Sequence, residues 1–308
     1  MNILLPGQYP RSEKLIAATR DYDRNRISLS ELNRQIKEDV SDFKALQKGL
    51  PYLSQGLFQW QDLLRPFIHI LNGAYAESLT RFYETNTFWR LLEVEGKPSI
   101  NEAKIDDWID TYFFGSSSFA KTDPMVFTLP FLYLFKDHSR GIPLETIADL
   151  LEKIAKKLVA FPNKSLCFFE PSFGWRKISE EEKKLGKSLL EEIKKSSDAQ
   201  VFLTTFFFPI DSELEFIFSL PVDGIGIDFY VNSTSCLKKF PKEKKLLAGV
   251  LNTESTLLES NESIRSIIEM LRGYIPDDKV FFIPNGPAEL LPRDIMDKKV
   301  KNLKEIIV

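Results

Sequence analysis

The chain has 308 residues, 43% of them hydrophobic and 25 of them phenylalanine, enough apolar material for one large α/β barrel or two smaller domains. With 41 basic against 44 acidic side chains the net charge is −3, so no global basic field exists to hold a nucleic-acid backbone. Only two histidines, His69 and His138, and two cysteines, Cys167 and Cys236, occur, and no CxxC, HxH or HExxH spacing is present to build a local metal box. No apolar run reaches the roughly 20 residues that span a bilayer. The first dozen residues also lack the basic region and apolar stretch of a signal peptide. A cytoplasmic protein with no membrane and no nucleic-acid partner is therefore expected. The isolated cysteines fit a reducing compartment, where a thiol serves as a small buried hydrophobe. Abundant Lys and Glu beside scarce Cys, Met and His is a bias of thermophile proteins.

In chain order, a short strand at 3–5 precedes helical segments at 12–24 and 28–48, and a second strand is expected at 56–59. The polar and aromatic stretch 77–120, with a weak strand at 91–94, breaks the period and reads as a long insertion or lid after that second strand. Regular alternation then resumes. Strands are expected at 126–129, 165–170, 201–207, 224–229, 246–251 and 280–284, and helices at 143–159, 179–195, 212–220, 262–273 and 293–307. Ser28 with Glu31, and Ser179 with Glu182, fit the capping-box pattern at helix starts. About eight βα units without a long linker favour a closed (β/α)₈ TIM barrel, a single domain over 1–308.

In such a barrel the functional face is built at the C-terminal ends of the strands. That rule selects Gln8, Tyr9 and Arg11; Trp60, Gln61 and Asp62; Glu170; Thr204 and Thr205; Asp228 and Tyr230; Asn252 and Glu254; and Asn285. Glu170 ends the apolar run LCFF and should sit at the rim with low-dielectric walls behind it, or else pair with an Arg or Lys. Asp228, after GIGI, has the same standing. Glu170, Asp228 and Glu254 are the candidate acid/base groups, around Asn252 and Asn285. Trp60 and Phe58 also suit core and rim packing. His69 on a helix and His138 in a loop read as solvated or hydrogen-bonded, and Lys238, Lys239, Lys242, Lys244 and Lys245 as a solvated loop or partner surface.

Ordered motifs at these strand ends resemble those of the cobalamin-independent methionine synthase family, thinly over nearly the whole chain. GQYPRSEKLIAATR resembles the family's GSFPQTxEIRxAR opening, and DFKALQKGLPYLSQGLFQWQDLLRPF its segment ending in G-E-x-x-R-x-D-M. RFYETNTFWR resembles the W-F-D-T-N-Y-H-Y motif of the family's N-terminal barrel, which makes Asn86 a ligand-binding candidate. FFEPS resembles D-E-P-A, VDGIGIDF resembles D-G-I-x-x-E, LAGVLN resembles L-G-V-V-D/N, and IPNGPAELLP resembles the P-S-C-S-L-L-H-V-P ending of that N-terminal barrel.

The resemblance implies a tandem of two barrels, the C-terminal one holding zinc that activates the homocysteine thiol. Here the family's H-x-C falls on Thr204, Thr205 and Phe206, its zinc-binding Glu on Asp228 and its last Cys on Gly286. The homocysteine-binding Asp of D-E-P-A is Phe169, the Glu of the H-G-E segment is Leu57, and the general-acid His is Glu254. No metal is therefore expected on this chain. What remains resembles the non-catalytic N-terminal barrel, which holds part of the folate tail through a P-R-x-G-x-x-R-E-L-K motif. Pro10 and Arg11 match its first two positions, making Arg11 an anion-binding candidate and leaving Lys14 displaced by a shortening. The implied role is the zinc-less component of a split synthase, inactive without a zinc-containing catalytic partner barrel. Folate or another pterin methyl donor and homocysteine would be its small molecules. A free-standing enzyme using the carboxylates above, and a purely structural partner, are the alternatives.

Overall fold

A computed structural model of the protein describes residues 1–114, 119–120 and 122–307; of the expected insertion at 77–120, residues 115–118 lie outside the described residues. The strands are β1 (Asn2–Ile3), β2 (Leu71–Arg81), β3 (Phe88–Ile100), β4 (Met125–Pro130), β5 (Ser139–Arg140), β6 (Lys164–Phe169), β7 (Val201–Thr204), β8 (Gly224–Asp228), β9 (Lys245–Leu251) and β10 (Val280–Pro284). The α-helices are α1 (Glu13–Asp23), α2 (Leu29–Leu46), α3 (Ile105–Ile109), α4 (Leu132–Asp137), α5 (Leu144–Val159), α6 (Ser172–Trp175), α7 (Glu180–Ser196), α8 (Leu214–Ser219), α9 (Asn261–Arg272) and α10 (Arg293–Ile307).

Seven strands form one parallel sheet in the order β1-β10-β9-β8-β7-β6-β4. Parallel strands covered on both faces need continuous apolar runs. β4 (MVFTLP) and β6 (KSLCFF) meet that need, with every residue buried. The helices cover the sheet through 3.6-residue stripes, as in α5, where Ile147, Leu150, Leu151, Ile154 and Leu158 are buried. Both expected capping boxes, Ser28–Glu31 and Ser179–Glu182, open α2 and α7.

The second expected strand, 56–59, is a turn. Gly56 (φ 72°) and Leu57 (φ 49°) lie consecutively in the left-handed region, which extended pairing excludes. The residues before it nonetheless link the two edges of the sheet. Leu53 makes a single parallel bridge to Met125 of β4, the Ser54 hydroxyl donates to the Leu5 carbonyl, and Tyr9 N–H donates to Gly56 O at 2.9 Å. The sheet is thus curled, with a stretch of irregular chain between β4 and β1.

The weak strand expected at 91–94 is part of the much longer β3, which pairs antiparallel with β2 in a hairpin starting at Leu71. β5 adds to β3 in parallel. The strand expected at 201–207 ends at Thr204, and Phe207 (φ 70°) is left-handed. Among the described residues no helix is long and apolar enough to cross a membrane.

Candidate functional site at the strand C-terminal ends

Glu170 follows β6 but is not at the rim: it is fully buried. Its Oε2 accepts from Tyr133 N at 3.0 Å and Leu134 N at 2.9 Å, and its Oε1 from Ser172 N at 2.9 Å. These are orphan donors in the first turns of α4 and α6, neither of which has a side-chain cap of its own. One carboxyl therefore joins two helix starts, and neither the exposed position nor the Arg or Lys partner expected from sequence is found. Burial pushes its pKa up to about 8, against the pull of Ser172 and the backbone donors.

Asp228, ending β8, is buried and equally committed. Tyr230 N donates to Oδ1 at 2.9 Å, Phe207 N to Oδ2 at 3.2 Å, and Asn285 Nδ2 reaches both oxygens at 3.2 Å. Asn285 Oδ1 in turn accepts from Thr253 N at 2.8 Å and Thr253 Oγ1 at 3.1 Å. Burial raises the Asp228 pKa to about 6, opposed by these hydrogen bonds and helped by repulsion from Glu254. The network ties the ends of β7, β8, β9 and β10 together and holds Phe207 in its left-handed conformation. Glu254 is exposed, and its N–H donates to Asn252 Oδ1 at 2.8 Å.

Rings fill the space between these carboxyls and the hairpin tip. Phe169 packs edge-on to Phe206 at 5.2 Å, Phe206 to Phe207 at 4.9 Å, and Phe207 to Phe82 at 6.0 Å. Gly7 (φ +86°) is required beside them, because a Cβ there would stand 2.5 Å from the Phe169 ring. His138 is not solvated: it is 5% exposed, with Phe82, Tyr83 and Trp89 at 5.2, 4.8 and 5.6 Å. Burial lowers its pKa to about 4, opposed by the Leu134 backbone carbonyl.

An open cleft of about 280 Å³ lies at one side of this aromatic mass, between the β1–α1 loop, the hairpin tip and the β10–α10 loop. Gln8, Tyr9, Arg11, Gln61, Glu289 and Arg293 contribute to its walls, with Phe88 and Trp89 from the hairpin. Tyr9 is structural: its ring stacks on Phe43 at 4.2 Å and its hydroxyl donates to Asp297 at 2.8 Å. Arg11 is half-buried and, among the described residues, makes no hydrogen bond or ion pair. Desolvation lowers its pKa, while Glu289 raises it. Glu289 and Arg293 were missed by the strand-end rule because they lie several residues beyond β10. A charged residue inside the apolar motif IPNGPAELLP was the available signal for Glu289.

The other expected site residues are dispersed. Trp60 is fully buried among Phe67, Trp108, Tyr112 and Phe113, a core position. Asp62 is buried and accepts from Leu64 N at 3.0 Å and Arg65 N at 2.7 Å, beside an ion pair to Arg65 at 3.2 Å. Asn86 is exposed at the hairpin tip, and Asn252 lines a separate groove with Glu259 and Tyr230. His69 ends a short 3₁₀ turn and stacks on Tyr112 at 6.0 Å. Lys244, expected on a solvated loop, is buried with its ammonium on the Leu220 and Val222 carbonyls.

A curled parallel sheet flanked by helices, with its polar groups and cleft at the strand C-terminal ends, defines a TIM-barrel-like α/β protein. A B12-independent methionine synthase from Shewanella, solved with selenomethionine, has the same fold: TM-score 0.74 over 92% of this chain and 90% of that one, at 17% identity. The family model for the cobalamin-independent synthase N-terminal domain matches residues 71–274, and the chain belongs to that family. The 5-methyltetrahydropteroyltriglutamate–homocysteine methyltransferase of Thermotoga maritima is 25% identical over 222 residues, 68% of this chain but 29% of that protein. The chain thus matches under a third of the length of that relative. A methionine synthase of Saccharolobus solfataricus is 22% identical over 314 aligned positions, covering 97% of this chain and 91% of that one.

Zinc, implied for the family's catalytic barrel, finds no matching donors at the corresponding positions. The Thr204 hydroxyl donates to Phe168 O at 3.2 Å, Phe206 is an apolar ring in the aromatic mass, and Gly286 has no side chain. Asp228 is the one carboxylate among these four positions, and no zinc site is built on a single carboxylate. Among the described residues no three His, Cys, Asp or Glu side chains converge as a metal-binding group.

Proposed function

We propose that this chain is a zinc-less, N-terminal-type methionine synthase barrel that acts with a zinc-containing barrel in methyl transfer from a folate-type donor to homocysteine. In this reading the curled sheet is closed as an eight-staved barrel through residues 51–56, 77–120 is an insertion at its mouth, and the protein works in the cytoplasm. The observation that carries the reading is the state of the strand ends. Where the family's catalytic barrel uses a metal and a substrate-binding carboxylate, this chain has an aromatic filling and a hydrogen-bond network that consumes Asp228. In this reading Glu170 and Asp228 are committed to the fold, and turnover is completed by the partner barrel.

The test is an assay of methionine formation by the purified chain, alone and with a zinc-containing methionine synthase barrel, alongside metal analysis. Stoichiometric tightly bound zinc, or homocysteine methylation by this chain alone, refutes the reading. Formation that requires both chains and no metal on this one supports it.

A further inference from the structure

We infer that the outer edge of β2 binds an extended segment of another protein, a strand about eight residues long that alternates basic and apolar side chains. In the sheet β2-β3-β5 the strand β2 lies outermost. Leu92 of β3 donates its N–H to the His138 carbonyl beside β5 at 3.2 Å, so its backbone groups face away from β2. Ala76, opposite Leu92, therefore occupies a non-hydrogen-bonded position of the hairpin and turns its own N–H and C=O outward. Ala74, opposite Val94, does the same. Nearer the tip, Phe82 N donates to Thr87 O at 2.8 Å, an inward bond, so Arg81 and Leu79 again face outward. The stretch Ala74–Arg81 is exposed or half-buried throughout. None of its outward groups bonds to another backbone group among the described residues. An unpaired strand edge of this kind is a template for a further strand.

The side chains beside the edge select the occupant. Tyr75 lies opposite Glu93 and shares its face, with Glu77 and Glu95 each two residues on. Desolvation, then Glu93, Glu95 and Glu77, raise the pKa of the Tyr75 hydroxyl, so the three carboxylates act on one spot. The register sets Arg140 of β5 beside Glu93, on the side of β3 away from the edge. The other face of the hairpin is apolar toward the tip, where Leu79 and Phe88 are 59% and 51% exposed. A strand laid along β2 thus meets acid on one face and apolar surface on the other, and its own alternation has to be basic and apolar to match. A second copy of this chain fits worse. Pairing β2 with itself would bring Glu77, Glu93 and Glu95 of both copies onto one face, where like charges repel. The extra residue between Ala76 and Leu79 bends the edge, a further device against self-pairing.

The inference requires neither zinc, folate nor a methionine synthase barrel, so it stands or falls apart from the methyl-transfer reading. Isothermal titration calorimetry on the full chain tests it with a capped peptide of about eight residues alternating lysine and valine. That peptide should bind with a Kd of about 0.1 mM or tighter at low salt, and more weakly at about 0.5 M salt. Its glutamate–valine counterpart should bind about tenfold or more weakly, through charge. Lysine–valine peptides N-methylated at the lysines or at the valines lose one row of N–H donors each, and the one whose lost row faces β2 should weaken by a similar factor. Ala76→Pro removes an outward N–H without breaking a bond to β3 and should weaken the lysine peptide by about tenfold, with circular dichroism unchanged. Glu77→Lys combined with Glu93→Lys should do the same and serves if the proline variant fails to fold. No binding at about 1 mM, equal binding of the glutamate peptide, full binding of both N-methylated peptides or by the folded variants, or self-association that Ala76→Pro abolishes overturns it.

Discussion

Replacing Glu170 by glutamine separates a structural carboxyl from a catalytic one. The amide oxygen can occupy the Oε2 position and keep both α4 donors, Tyr133 N and Leu134 N. Its nitrogen then faces Ser172 N–H, which loses the acceptor it had at 2.9 Å. A protonated carboxyl retains an accepting oxygen there, whereas an amide nitrogen cannot accept. One buried N–H left unpaired costs about 1–3 kcal/mol. Turning the amide over strands two donors instead and costs more. Glu170→Ala leaves all three donors unpaired beside a cavity and should lose about 3–5 kcal/mol. Urea denaturation followed by circular dichroism reads both, with an unchanged m-value reporting the same native surface. Amide exchange should quicken first at Tyr133, Leu134 and Ser172. A Glu170→Gln protein within about 0.5 kcal/mol of the parent, with those amides still protected, would refute the helix-joining role.

His138 gives a pH signature. Its folded pKa is about 4 against the ordinary imidazole value of 6.5, so the unfolded chain binds the proton first. The stability this neutral buried ring brings is present above pH 6.5 and is lost as pH falls toward 4. Parent and His138→Phe urea midpoints, compared across that range, should diverge by on the order of 1–3 kcal/mol, and parallel curves would contradict the burial argument. Lys299 has no exposed side-chain surface and pairs with Glu259 at 2.7 Å. Lys299→Met strands that carboxylate and should cost about 3–5 kcal/mol, most of it recovered by adding Glu259→Gln; equal losses in the single and double variants would dismiss the pair. Asn285→Ala removes a side-chain donor to both Asp228 oxygens and the acceptor of Thr253 N, and should lower stability by about 2–4 kcal/mol in the same denaturation assay.

The parallel sheet was legible because strands buried on both faces must be apolar runs, and β4, β6, β8, β9 and β10 announce themselves that way. Ser28 and Ser179 marked two helix starts correctly, since a capping box is a local interaction. Position 56–59 was not legible: its apolar residues fit a strand, but only the backbone conformations of Gly56 and Leu57 reveal a turn. The hairpin escaped because exposed strand edges and tips are polar, and only the aromatic ends of RFYETNTFWR, which pack onto His138 and Phe207, are apolar. For the site, the strand-end rule found Glu170, Asp228 and Asn285 but not their partners. Backbone N–H groups of α4 and α6 leave no trace in residue type. Arg11 was found by the strand-end rule, with motif resemblance adding an anion-binding role, whereas its neighbour Glu289 depends on a loop path that composition does not encode.

The most direct test of the central claim is the rate of methionine formation from homocysteine and a folate methyl donor, measured for this chain alone and after adding a zinc-containing methionine synthase barrel. The account predicts no turnover by the chain alone and a rate above that of the added barrel alone when the two are mixed. Turnover by this chain alone, or no effect of its addition, would contradict it.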